Sequence, residues 1–172
     1  MTDGDSECWY VSRTRRGQEL TIRERLDKFG IRNFVPVSRI LRIRNGRKIE
    51  ATVPLISGMV FLRTTKSIAC ALANGHGLPL FYMIDRSTNR MLVVPDKQMD
   101  DFIRVVSDEP EGVVLESFIP HQGQKVKIVR GNLAGVEGEV LSVDNDAYLV
   151  VSVGTLLSAR IKVPRGCLEP VK

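Results

Sequence analysis

Apolar and polar positions change period several times along this chain, and each change marks an element. Trp9–Arg13 is a short run of aromatic and β-branched residues and predicts a strand. Over Gln18–Phe29 the period turns helical: Ile22, Leu26 and Phe29 share a stripe, Glu24 and Lys28 stand four apart, and Gly30 supplies a stop. Asn33–Arg44 and Arg47–Leu55 are strand-like and flank Asn45–Gly46, a pair suited to a type I′ hairpin turn because both central residues need positive φ. Ser57–Arg63 predicts another strand, Ser67–Ala73 a short helix ended by Asn74–Gly75, and Phe81–Asp85 and Met91–Val94 two strands around Arg86–Asn89. Asp96–Val106 predicts an amphipathic helix with Met99, Phe102, Ile103 and Val106 on one face and Asp96 near its N-cap.

Together these elements predict an α+β domain over residues 1–106: a mixed or antiparallel sheet with flanking helices. The acidic Ser107–Gly112 stretch, with Pro110 and no period, then predicts a connector over 107–121; within it, Val113–Leu115 and Phe118–Ile119 are apolar enough to dock on a neighbour. Beyond it the pattern is different. Lys125–Arg130 alternates, Gly131, Gly135 and Gly138 punctuate turns, and Glu139–Val143, Tyr148–Val153 and Arg160–Val163 are short β-branched runs. That spacing predicts a small all-β barrel over 122–172.

A chain of 172 residues accommodates two such small domains, and 43% hydrophobic with 26% charged content is that of a soluble globular protein. No apolar run approaches the roughly 20 residues of a membrane helix, and the first ten residues have no apolar h-region, so neither a membrane span nor a signal peptide is expected. Cys8, Cys70 and Cys167 are odd in number and lack CxxC spacing, which favours reduced thiols in a cytoplasmic protein. His76 and His121 stand alone, so no metal and no cofactor is expected. Charge is unevenly spread along the chain. Residues 1–106 hold 18 Lys and Arg against 11 Asp and Glu, whereas 107–121 hold four acids and no base. A polyanionic partner is therefore expected at the first domain alone.

Reaction chemistry is not visible: there is no phosphate-cradling Gly-rich loop and no Ser/His/Asp order. Asp100–Asp101 fits a helix surface and Asp144 with Asp146 a turn, so an enzyme is not expected. The candidate nucleic-acid element is the hairpin, where Arg39, Arg42, Arg44, Arg47 and Lys48 surround the Asn45–Gly46 tip and the first acid is Glu50. Arginine forks donate charge-assisted hydrogen bonds to phosphates, and neutralised phosphates release counterions. Arg15 and Arg16, after the first strand, are candidates beside it. An edge hairpin kept soluble by its charge is the plainer alternative.

Gly123–Val140 resembles a KOW motif, with alternating apolar residues followed by regularly spaced glycines. The first domain independently resembles the N-terminal domain of the NusG family, through Trp9–Val11, Arg15–Gln18 ahead of a helix, Val53–Leu62, and Val94–Pro95 opening the last helix. Within that family the chain is most similar to the UpxY-type specialised antiterminators of long surface-polysaccharide operons, through Ile40–Lys48, Asp101–Val106 and Val163–Pro164. The resemblance implies a transcription elongation and antitermination factor that docks its sheet on the clamp helices of RNA polymerase through Val11, Ile56, Met59 and Phe61. It also implies non-template DNA at the basic hairpin, and the termination factor Rho or the ribosome at Leu156–Leu157 of the barrel. A monomer is expected. One departure stands out: where the family has Pro-Gly-Tyr, this chain has Ser57–Gly58–Met59, a thioether in place of an aromatic ring. A housekeeping NusG-like factor and a ribosomal RNA-binding KOW protein remain the alternatives.

Overall fold

A computed structural model describes residues 6–117 and 123–172, and two compact units divide them at Val94 and Pro95. The first contains, in chain order, β1 (Cys8–Arg13), α1 (Glu19–Lys28), β2 (Arg32–Phe34), β3 (Val37–Arg44), β4 (Arg47–Pro54), β5 (Met59–Thr64), α2 (Lys66–Asn74), β6 (Phe81–Tyr82), β7 (Ile84–Asp85), β8 (Arg90–Met91) and β9 (Val93–Val94). The second contains α3 (Asp96–Asp108), β10 (Val114–Ser117), β11 (Lys125–Ile128), β12 (Glu137–Val143), β13 (Asp146–Val153), β14 (Leu157–Lys162), a short 3-10 turn at Arg165–Cys167, and β15 (Leu168–Pro170). The architecture is the expected α+β fold followed by a small β-rich unit.

In the first unit β1 lies between β5 and the short strands β6 and β9, with β2 beyond β5. Alternation along β1 and β5 decides which side chains meet the helices. Tyr10, Val60 and Leu62 join Ile22 and Leu26 of α1 and Ala69 and Leu72 of α2 in one buried cluster. The helices form for local reasons. Glu19 in the first turn and Arg25 and Lys28 in the last complement the dipole of α1, and Thr65 caps α2 by accepting the Ile68 amide at 3.3 Å. The strand expected over Asn33–Arg44 is two strands, because Pro36 lacks the N–H that a continuous ladder needs.

The second unit is a six-stranded antiparallel sheet in the order β10-β14-β13-β12-β11-β15. The helix expected over Asp96–Val106 in the first domain runs to Asp108, and α3 packs on β13 and β14. An amphipathic stripe says that a helix must bury one face, not which sheet will cover it. Val114–Ser117, expected within the connector, is the edge strand of this sheet, with Glu116 held by Arg160 at 2.9 Å. The rest of the expected connector falls partly outside the described residues, at 118–121.

Asp101 is a correction. It was expected on a helix surface, yet it is buried, with Oδ1 accepting from Lys97 Nζ at 2.8 Å and Oδ2 from the Glu137 amide at 3.1 Å. These two donors offset the desolvation of its charge. Lys97 also donates to the Gly135 carbonyl, Gln98 Oε1 accepts the Gly154 amide, and Arg104 donates to the Asn132 carbonyl. Polar contacts thus fix α3 in register along the sheet while Met99, Phe102, Val105 and Val106 are buried.

Asp101→Ala would strand the Glu137 amide without its acceptor and is expected to cost about 1–3 kcal/mol. Lys97→Ala, which removes a half-exposed partner, is expected to cost under about 1 kcal/mol. Denaturant unfolding of both variants checks the order; a larger loss for the lysine variant would contradict it.

Candidate functional site

Two surfaces of the first unit gather the candidate residues. The first is the sheet face opposite α1 and α2. Directly paired residues of antiparallel strands share a face, so the pairs Val11↔Phe61, Arg13↔Met59, Phe34↔Phe61 and Trp9↔Val94 build one continuous layer. Val11, Met59 and Phe61 are therefore neighbours, and all three are buried. Ile56 stands apart, half-buried in the turn before β5. An additional residue, missed in the sequence, completes the layer at its edge: Phe81 pairs with Arg13 through β6 and is 60% exposed. The period-two series Trp9, Val11, Arg13 was the only available signal for Arg13, and nothing local announces Phe81. Near it, the Asp85 carboxylate accepts from the Ser87 hydroxyl at 2.7 Å and amide at 2.8 Å, which lowers its pKa and fixes the β7–β8 turn.

The second surface is the hairpin of β3 and β4. It forms a two-stranded sheet of its own, with Asn45 at φ 51° and Gly46 at φ 75°, as a type I′ turn requires. Arg39 to Glu50 are all exposed. The register splits the basic residues. Arg42↔Ile49 and Arg44↔Arg47 put Arg42, Arg44 and Arg47 on one face, whereas Arg39↔Thr52 and Ile43↔Lys48 put Arg39 and Lys48 on the other. Leu41 and Ile43, 70% and 76% exposed, share the face of Arg39 and Lys48.

Arg15 and Arg16 belong to the hairpin's base rather than its tip. The Leu55 amide bonds the Pro36 carbonyl at 2.8 Å and closes the base. Just beyond, Gly58 ties the β4–β5 turn to the loop that carries both arginines: its carbonyl accepts from the Thr14 amide at 2.9 Å and its amide donates to buried Glu19 Oε1 at 2.6 Å. Gly58 has φ +71° and a Cβ there would lie 2.8 Å from the Thr14 carbonyl oxygen, so only glycine fits. Eight strand residues at about 3.3 Å each carry the tip roughly 25 Å from this base.

In the second unit Leu157 is buried and pairs with both Val153 and Ser117, and Leu156 is half-buried in the turn between β13 and β14. Among the described residues no cluster of three His, Cys, Asp or Glu could hold a metal ion, and no helix is long and apolar enough to cross a membrane.

The arrangement is an α+β sheet unit with a projecting basic ribbon, followed along the chain by a small β-rich unit. Residues 7–103 match the family described as "Transcription termination factor nusG", which is more than half of the chain, so the chain belongs to the NusG family of transcription factors. A solved structure of Thermotoga maritima NusG is similar at 18% identity, covering 97% of this chain and 98% of that one with a TM-score of 0.50, a likeness of fold. A structure of an MjSpt4:Spt5 complex matches at 15% identity over 95% of this chain and 98% of that one, with a TM-score of 0.28, too low to carry an argument. No curated protein matches the sequence.

Because Met59 and Phe61 are buried, Met59→Asp with Phe61→Asp is expected to abolish cooperative unfolding. Each change loses about 1.5–3 kcal/mol of apolar burial and forces a carboxylate into an apolar layer. Circular dichroism through a thermal melt checks this; a native melt would place both side chains on an open surface.

Proposed function

We propose that this NusG-family factor docks on the clamp helices of RNA polymerase through the sheet face of its first unit and acts on transcript elongation as an antiterminator. One observation carries the reading: the family match spans residues 7–103, and within that span Val11, Met59 and Phe61 form one apolar layer. Apolar sheet surface and an adaptable thioether suit an amphipathic helical partner. Val11, Met59 and Phe61 are buried in the free chain, so their contact with polymerase requires the face to be opened. Phe81 and Arg13 at its edge are exposed already and make the first contact. Ile56 flanks the same strand from the turn before it.

The basic hairpin, with Arg15 and Arg16 at its base, acts on nucleic acid, and the non-template DNA of the transcription bubble is the partner of matching charge. The resemblance to UpxY-type factors supports service on particular long operons, with suppression of pausing or termination there. The turn at Leu156 is the contact of the second unit for Rho or the ribosome, with Leu157 shaping it from within. The factor works as a cytoplasmic monomer.

Phe81→Asp separates docking from folding, since this ring is exposed. Its binding to purified core polymerase, read by pulldown and by biolayer interferometry, is expected to weaken tenfold or more, because a buried Phe contributes about 1.5–3 kcal/mol. The melting temperature should stay unchanged. Full affinity in the variant would contradict docking at this sheet edge.

A further inference from the structure

The β3–β4 ribbon has two chemically different faces, and only one suits a nucleic-acid backbone. On the face of Arg42, Arg44 and Arg47 the remaining side chains are Ser38, Ile40, Ile49, Ala51 and Val53, so it carries three positive charges and no acid. Arg44 and Arg47 are direct cross-strand partners. Like charges placed opposite each other destabilise a strand pair, and no carboxylate forms an ion pair with Arg42, Arg44 or Arg47 among the described residues. The other face carries Arg39 and Lys48 but also Glu50, together with the exposed aliphatic pair Leu41 and Ile43.

We infer that the ribbon binds the phosphate backbone of nucleic acid through the Arg42, Arg44 and Arg47 face alone, leaving the Leu41 and Ile43 face clear of it. The inference rests on the reading of the hairpin as a nucleic-acid element and adds which residues make the contact. A polyanion on that face removes the Arg44–Arg47 repulsion, which gives the folded ribbon a reason to prefer the bound state. The guanidinium forks donate to phosphate oxygens without reading bases, so the contact is independent of sequence. An isolated two-stranded ribbon is only marginally stable in water, which makes its distal half the segment that gains most order from a bound backbone.

The experiment measures affinity of the full chain for a 20-base-pair duplex and for a single strand of equal length, by fluorescence anisotropy across a salt series. Three variants are compared: Arg42→Gln with Arg44→Gln and Arg47→Gln; Arg39→Gln with Lys48→Gln; and Leu41→Ser with Ile43→Ser. The triple variant is expected to reduce the slope of log K against log salt by about 2.7 on duplex and about 2.1 on a single strand, while the affinities of the unaltered chain identify the form preferred. The two opposite-face variants should leave slope and affinity unchanged. All changed side chains are exposed, and a melt confirms that each variant folds. An equal loss of slope in the Arg39/Lys48 variant, or weakened binding in the Leu41/Ile43 variant, would overturn the face assignment while leaving the hairpin as a nucleic-acid element. Unchanged binding in all three variants, or no binding by the unaltered chain, would overturn both.

Discussion

The antiparallel pairing of β1 with β5 is the constraint on which the first unit depends. It runs from Cys8↔Thr64 to Arg13↔Met59 without a bulge, and it fixes which side chains point to the helices and which to the opposite layer. A slip of one residue in β5 against β1 would send Val60 and Leu62 out of the helix-covered core and Met59 and Phe61 into it. The same pairing leaves the far edge of β1 to β6 and β9, and so delivers Phe81 beside Arg13. At its end, Gly58 joins the turn before β5 to the loop after β1 through Thr14 and Glu19. That junction holds the hairpin's base and the Arg15–Arg16 loop in one place, so the apolar layer and the basic ribbon are set by one ladder.

Much of this was legible in the sequence because it is local. The Asn45–Gly46 turn fixes its own register, and that register alone sorts Arg42, Arg44 and Arg47 from Arg39 and Lys48. The helices over Glu19–Lys28 and Asp96–Asp108 follow from apolar spacing and end within two residues of expectation. Residues 123–172, expected to be strand-rich, form strands because Val140, Val150, Val151, Val153 and Ile161 suit a pleated, half-buried surface.

What was not legible depends on contacts between segments far apart in sequence. Asp101 looks like any polar residue of an amphipathic helix until the Glu137 amide, at the start of β12 and 36 residues away, is seen to need it. Val114–Ser117 looks like connector because its pairing partner, β14, lies some forty residues further on. Phe81 gives no period of its own in a two-residue strand. The burial of Met59 and Phe61 likewise depends on tertiary packing: alternation assigned them a common face, but not its accessibility.

The proposed docking on transcribing RNA polymerase is tested most directly by single-molecule elongation by purified core polymerase on a template with defined pauses, with and without the full chain. Docking through this sheet face should give shorter pause dwell times that saturate with factor concentration, and a weaker effect from the Phe81→Asp variant at equal concentration. Dwell times that stay the same at every concentration, with no factor held on the elongating complex, would contradict it.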